Sequence, residues 1–246
     1  VEMLYDPSNR LTCVAQRMNP ATFGASPSCV LRAQGPHGPD RLTLYTYDDA
    51  DRRTKVTQGY RSGSEINYWT ATYTDNGLVE TLADAGGNLT TYVYDGFDRL
   101  YRLRYPNPSS AGSSTTDYEQ YTYDAASNVT AWRRRSADSI GFTYDNLSRV
   151  TLTNAPGTAL DVTATYDLLG RQLTQAISGQ TLTFGYDQLS RLTSAQSAIG
   201  TVNYQYDAAS RRTRITWPDA YYAQYDYDLT NAVTAIRENG ASSGAG

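Results

Sequence analysis

A tyrosine–aspartate pair recurs along this chain at a near-constant interval, so the chain meets the same local folding problem at every copy. The pairs are Tyr5-Asp6, Tyr47-Asp48, Tyr94-Asp95, Tyr123-Asp124, Tyr144-Asp145, Tyr166-Asp167, Tyr186-Asp187, Tyr206-Asp207 and Tyr227-Asp228, with a degenerate tenth at Tyr73-Thr74. Successive tyrosines are 42, 26, 21, 29, 21, 22, 20, 20 and 21 residues apart, which sets a unit of 20 to 22. Self-similarity at a fixed period marks an array whose units stack on their neighbours. The interval of 42 reads as two periods, one overwritten by a Pro-, Gly-, Ser- and Asn-rich segment; the interval of 29 carries Pro106 to Thr116. The expected organisation is one array of about ten repeats over 1–246, with irregular insertions at about 13–40 and 106–117. The chain starts at Val1 and finishes in loop-like Ala241–Gly246, so both ends are expected to be truncations.

Each pair sits in a wider pattern. An aromatic stands two residues before most of the tyrosines: Tyr45, Tyr92, Tyr121, Phe142, Phe184, Tyr204 and Tyr225. A period of two puts both rings on one face of a strand. Four residues after each tyrosine stands Asn9, Asp51, Gly77, Asp98, Ser127, Ser148, Gly170, Ser190, Ser210 or Asn231. These residue types tolerate a positive φ or hydrogen-bond locally, as a tight turn requires. Next comes Arg10, Arg52, Arg99, Arg149, Arg171, Arg191 or Arg211, and then Leu or Val followed by Thr in copies such as Arg191-Leu192-Thr193. The pattern predicts a strand ending at Tyr-Asp. The Asp accepts turn N–H groups, a type I turn with a bulge reverses the chain, and Arg reaches the Asp of its own or a neighbouring repeat. Helical periodicity is scarce, so the expected fold is all-β with two strands per repeat.

Composition fits thin sheets. Tyr occurs 22 times against 4 Phe and 3 Trp, and a ring with a polar tip suits a half-wet surface. A net charge of −4 argues against nucleic acid as a partner, which needs a basic field. No apolar run approaches the roughly 20 residues of a membrane span. Cys13 and Cys29 share the first irregular segment; they are either a disulfide, which implies an oxidising compartment, or two free thiols.

The unit Tyr-x-Tyr-Asp-x-x-(Gly/Ser/Asn)-Arg-Leu-Thr resembles the Rhs/YD repeat of bacterial Rhs polymorphic toxins, TccC-type toxin components, wall-associated proteins and teneurins. The segment Thr81 to Asp95 is similar to the Asp-x-x-Gly-Asn-x-Thr stretch that precedes many YD anchors. The resemblance covers almost the whole chain. It implies a curved or spiralling β-strip forming part of a hollow shell, which encloses a C-terminal toxic domain or, in teneurins, supports adhesion. It also implies a secreted or cell-surface bacterial protein whose partners are further YD repeats of the same polypeptide and an enclosed effector. No Pro-x-x-x-x-Asp-Pro-x-Gly cleavage motif is present, so self-cleavage is not carried over.

Catalytic and cofactor readings are weaker. His37 is the single histidine, in a Gly- and Pro-rich loop that reads as inert, and with two cysteines it cannot build a usual zinc site. Asp48-Asp49-Ala50-Asp51 lacks the Gly and Glu of a calcium loop and occupies an ordinary repeat turn. The aspartates recur with the period, which one glycosidase-type carboxylate pair would not require. Trp132-Arg133-Arg134-Arg135 could touch an acidic partner but reads more simply as a solvated edge strand. No catalytic residue, cofactor or metal is therefore expected. The rival readings are a surface adhesion or carbohydrate-binding module that uses the aromatic rows on a glycan or receptor, and, third, a glycan-active enzyme.

Overall fold

The computed structural model describes residues 1–24, 29–157 and 160–239; the loop-like stretch Ala241–Gly246 lies outside them. Twenty strands and one short 3-10 turn, Pro20–Thr22, make up the regular structure of the described residues. The chain divides into two compact units, 1–122 with 133–137, and 123–132 with 138–246. The first holds β1 (Glu2–Tyr5), β2 (Leu11–Gln16), β3 (Arg41–Tyr47), β4 (Arg53–Gln58), β5 (Ile66–Tyr73), β6 (Val79–Asp84), β7 (Leu89–Tyr94), β8 (Leu100–Pro106) and nearly all of β9 (Ser113–Tyr123). The second holds most of β10 (Val129–Arg133), then β11 (Ser139–Tyr144), β12 (Val150–Asn154), β13 (Val162–Tyr166), β14 (Gln172–Ile177), β15 (Gln180–Tyr186), β16 (Leu192–Ser197), β17 (Gly200–Tyr206), β18 (Arg212–Thr216), β19 (Tyr222–Tyr227) and β20 (Val233–Glu238).

Pairing is antiparallel and sequential: β1 to β9 each pair with the next in the first unit, and β11 to β20 do so in the second. Local choices enforce this meander. The strands are rich in Thr, Val and Tyr, which suit a pleated, half-buried surface, and short turns allow only antiparallel return. At all ten repeat turns the residue four places after the tyrosine has a positive φ, from 59° at Ser148 to 85° at Gly77. There Asp187 N–H donates to Arg191 C=O at 3.0 Å and Ser190 N–H to Asp187 C=O at 3.0 Å, and the other copies repeat both bonds.

A bulge follows the turn in nine of the repeat hairpins. Tyr186 pairs with Leu192 while Gly185 pairs with Ser194, leaving Thr193 as the extra residue. The same slip leaves Thr12, Thr54, Thr151, Thr213 and Thr234 over in their hairpins. The threonine hydroxyl answers the interrupted ladder: Thr12, Thr54 and Thr151 Oγ1 donate to the carbonyls of Leu4, Thr46 and Thr143 at 3.1, 3.3 and 3.2 Å. A bulge strengthens the local twist, so each hairpin turns its sheet in the same sense.

In the second unit the register divides the faces by chemistry. Phe184, Tyr186, Ala195 and Val202 share one face, as do Tyr204 and Ile215, whereas Thr183, Gln196 and Thr201 share the other with Ser194 and Asn203. Most strand side chains are only half-buried. The chain exposes 15350 Å², against about 11,000 Å² for a compact monomer of its mass. A small core forms in the first unit from Cys13, Ala15, Cys29 and Leu42, with Leu31, Leu44 and Tyr60 packed against it.

Candidate functional site: clasps between repeats

The Tyr-Asp positions build one contact set over and over. Asp187 Oδ1 accepts from the N–H groups of Leu189 and Arg191, both at 2.9 Å, and Oδ2 accepts from Arg191 Nε at 2.6 Å. The same three bonds tie Asp6 to Arg10, Asp48 to Arg52, Asp95 to Arg99, Asp145 to Arg149, Asp167 to Arg171 and Asp207 to Arg211. Where Arg is missing, Asn128 supplies an amide to Asp124 at 2.9 Å and Thr230 a hydroxyl to Asp228 at 2.7 Å. Thr74, in the degenerate copy, accepts from Leu78 N–H through Oγ1 at 3.2 Å.

The arginine also leans forward. Arg191 Nη1 donates to the Asp207 carbonyl at 2.9 Å, and its guanidinium carbon stands 4.8 Å from the centre of the Tyr206 ring. Arg10, Arg52, Arg149, Arg171 and Arg211 reach the next repeat's carbonyl and ring in the same way. The tyrosine answers backwards: Tyr206 OH donates to the Leu192 carbonyl at 2.9 Å, Tyr186 OH to Gln172 at 2.9 Å, and Tyr227 OH to Arg212 at 2.8 Å. Tyr47, Tyr73, Tyr94, Tyr144 and Tyr166 make the equivalent bond. The Tyr5 hydroxyl, among the described residues, meets only Met3 Sδ at 3.4 Å. Arg thus covers one face of the ring while the ring's tip holds the preceding repeat.

The electrostatics follow the geometry. The backbone N–H of the following arginine, then its guanidinium, hold the Asp6, Asp187 and Asp207 carboxyls below the ordinary range. At Asp95 and Asp145 the guanidinium hydrogen bond is the larger cause. Partial burial pushes the Tyr94 and Tyr144 phenols up. Three hydrogen bonds hold each of the seven Arg-paired carboxylates to its own turn. Asp51 adds an ion pair to Arg10 at 2.5 Å. His37 sits exposed at the tip of a turn closed by Gly38 N–H on Gly35 C=O. No cluster of three or more metal-ligating side chains occurs among the described residues.

Other features carry no period. The structure joins Cys13 and Cys29, with Cα atoms 6.2 Å apart. Beside them Arg17, with its side chain 1% exposed, donates to Asp40 Oδ2 at 2.7 Å, Glu2 Oε2 at 2.8 Å and the Val30 carbonyl at 2.6 Å. Asp40 accepts further from Met18 N–H at 3.0 Å, so the first insertion is bolted to β1 and β3. Within the basic run Arg133 is half-buried and Arg135 is exposed. Arg133 stacks 3.8 Å from the Tyr118 ring centre, and Arg135 stacks 3.9 Å from that of Tyr105 while pairing with Asp117 at 2.5 Å. Asp84 makes a repeat-type turn without any tyrosine, accepting from Gly86 and Asn88 N–H at 2.8 and 2.9 Å on the opposite sheet edge.

Residues 121–238 match the teneurin YD-shell family. Solved structures of similar fold include TcdB2-TccC3 with Cdc42, at 12% identity and a TM-score of 0.61 over 84% of this chain. The TcdB2-TccC3-TEV structure gives 12% and 0.64 over 95%, and TcdB2-TccC3 without its hypervariable C-terminal region gives 11% and 0.64 over 95%. The chain spans 13%, 13% and 12% of those three chains. No curated protein matches it. At such identity the likeness is one of fold. The chain therefore resembles the teneurin YD shell over residues 121–238 and carries a YD-type turn of one geometry at ten positions.

Proposed function

We propose that this chain is a wall segment of an Rhs-type shell in a secreted bacterial protein, which encloses or presents a C-terminal effector. Its role is structural: it holds a sheet continuous, and its immediate partners are further YD repeats of the same polypeptide. The observation that carries this reading is the clasp. Arg reaching forward and Tyr reaching back join six pairs of successive repeats in one geometry, which is what an extended wall needs and what a single binding or catalytic site does not. The half-buried apolar face supports it as well, since a free-standing sheet with such a face calls for a covering. The glycan-binding reading is disfavoured by the same clasps, because arginine already covers the repeat tyrosines that a sugar would stack upon. Electron microscopy of the full-length protein tests the proposal. A hollow shell with density inside is the expected result; a solid globule or an extended rod rejects it.

A further inference from the structure

We infer that Arg102, Arg104 and Arg133 form a carboxylate-binding site for an extended acidic polypeptide segment. Across the β8–β9 pair Arg102 lies opposite Gln120 and Arg104 opposite Tyr118, so these four side chains share one face. Arg133 joins them: its guanidinium carbon is 3.8 Å from the Tyr118 ring centre, and that of Arg102 is 4.4 Å from it. Two guanidinium groups therefore lie against one ring, and Arg104 stands opposite that residue across the strand pair.

None of the three has a carboxylate partner among the described residues. Arg102 spends Nε and Nη2 on the neutral Gln120 Oε1, at 3.1 and 2.5 Å. Arg133 Nη1 donates to the Tyr118 and Arg134 carbonyls at 2.6 and 3.3 Å. Arg104 Nε is sealed from solvent and has no hydrogen-bond partner. The clasp arginines are each neutralised by an aspartate, and so is Arg135 nearby by Asp117. The three cations gather on one side of the sheet without a direct carboxylate contact, Arg133 feeling Asp117 only at longer range, in a protein of net charge −4. Amide and carbonyl oxygens accept hydrogen bonds but bring no charge. A carboxylate brings both, in the fork geometry that a guanidinium matches.

The spacing selects the ligand. Arg102 and Arg104 are alternate residues of one strand, so they stand about 7 Å apart on their face. Acidic side chains at alternate positions of an extended peptide have the same repeat. The stacking selects against a sugar acid, because Arg102 and Arg133 already occupy the Tyr118 ring and Arg102 also lies 5.2 Å from the Tyr101 ring centre. A uronate would find charge there but no open aromatic platform. The site rests on the β8–β9 pair and on Arg133 at the end of β10, and stands or falls independently of the shell reading.

Fluorescence anisotropy on the purified chain tests it with a labelled peptide of alternating Glu and Thr, eight residues long, against the same peptide with Gln for Glu. The Glu peptide is expected to bind at least tenfold more tightly, and more weakly as salt rises. Arg104→Gln and Arg133→Gln should each weaken it fivefold or more, Arg104→Lys by less. Arg237→Gln, which removes an arginine paired with Asp226 in the other unit, should leave it unchanged. Circular dichroism checks that each variant folds; if Arg104→Gln does not, Arg133→Gln and Arg104→Lys read the same contrast. Equal binding of the two peptides, or wild-type binding by folded Arg133→Gln and Arg104→Lys, overturns the inference. Capture of oligogalacturonate with no capture of the Glu peptide also overturns it, in favour of a glycan.

Discussion

Replacing Tyr206 by phenylalanine removes one atom from one clasp. The ring stays, and with it the stack under Arg191; what goes is the hydroxyl that donates to the Leu192 carbonyl at 2.9 Å. A neutral hydrogen bond of this kind contributes about 1 kcal/mol net. The site is half-buried, so water reaches the carbonyl and keeps the cost near that figure rather than at the full penalty of an orphaned buried acceptor. In an array whose stability is a sum of units and nearest-neighbour interfaces, the loss belongs to one interface. Native-state hydrogen exchange should therefore show amides of β16 and β17 exchanging roughly five times faster. Those of β11 and β12 should keep their wild-type rates. The thermal midpoint should fall by about 2–4 °C. Tyr5→Phe supplies the internal control, since that hydroxyl meets only a thioether at 3.4 Å, and its effect should be close to zero. Equal losses for Tyr206→Phe and Tyr5→Phe, or faster exchange spread evenly over all strands, would refute the backward reach of tyrosine as a joint between repeats.

Acid should loosen the array in a defined window. The clasp carboxyls are held below their ordinary pKa when folded, so their contribution is present above the unfolded carboxylate range and is lost as pH falls through the depressed values. Urea midpoints should be level from pH 7 to about pH 5 and drop below about pH 4; a drop between pH 7 and pH 6 would implicate a different group. At the turns, Ser190→Val forces a β-branched residue to hold φ near 61° and should cost about 1–2 kcal/mol by thermal melting, while Ser190→Gly should cost nothing or stabilise. Alkylation with iodoacetamide should label neither Cys13 nor Cys29 until reductant is added, and the double Cys→Ala variant should lose about 3 kcal/mol from the first unit, the value for a loop of this length.

The parts of this molecule that were readable from sequence are those decided within a few residues. A positive φ at Ser190 or Asn231 demands a small set of residue types, so the turn position shows in the letters. The bond between Asp187 and the N–H of Arg191 is equally local. The forward and backward reaches are not. Arg191 and Asp207 are 16 residues apart and Tyr206 and Leu192 are 14 apart, and which atoms meet depends on sheet register that no single repeat encodes. Thr193 was hidden for another reason: threonine favours strands so well that its place as the bulge residue looks like plain strand. The Arg17, Asp40 and Glu2 cluster lies at the borders of an insertion without a period, so nothing in the sequence aligned it. Arg133 read as solvated because its partner, Tyr118, lies in a different strand.

Because Arg points one way along the strip and Tyr the other, the joints can be ranked by what their sequence lets them hold. Between the repeats at Tyr73 and Tyr94 the arginine is replaced by Leu78, and the forward bond falls to Asn76, whose amide grips Asp98 at 2.8 Å. Between those at Tyr123 and Tyr144 it is replaced by Asn128, whose amide reaches Ser148 Oγ at 3.1 Å. Both keep the backward tyrosine bond but lose the cation on the next ring. Such places act as perforations in a sheet of paper. Under tension across the strands, the hairpins at Tyr166, Tyr186 and Tyr206 stay stitched while the lines beside Leu78 and Asn128 tear first, so the sequence sets where the array parts.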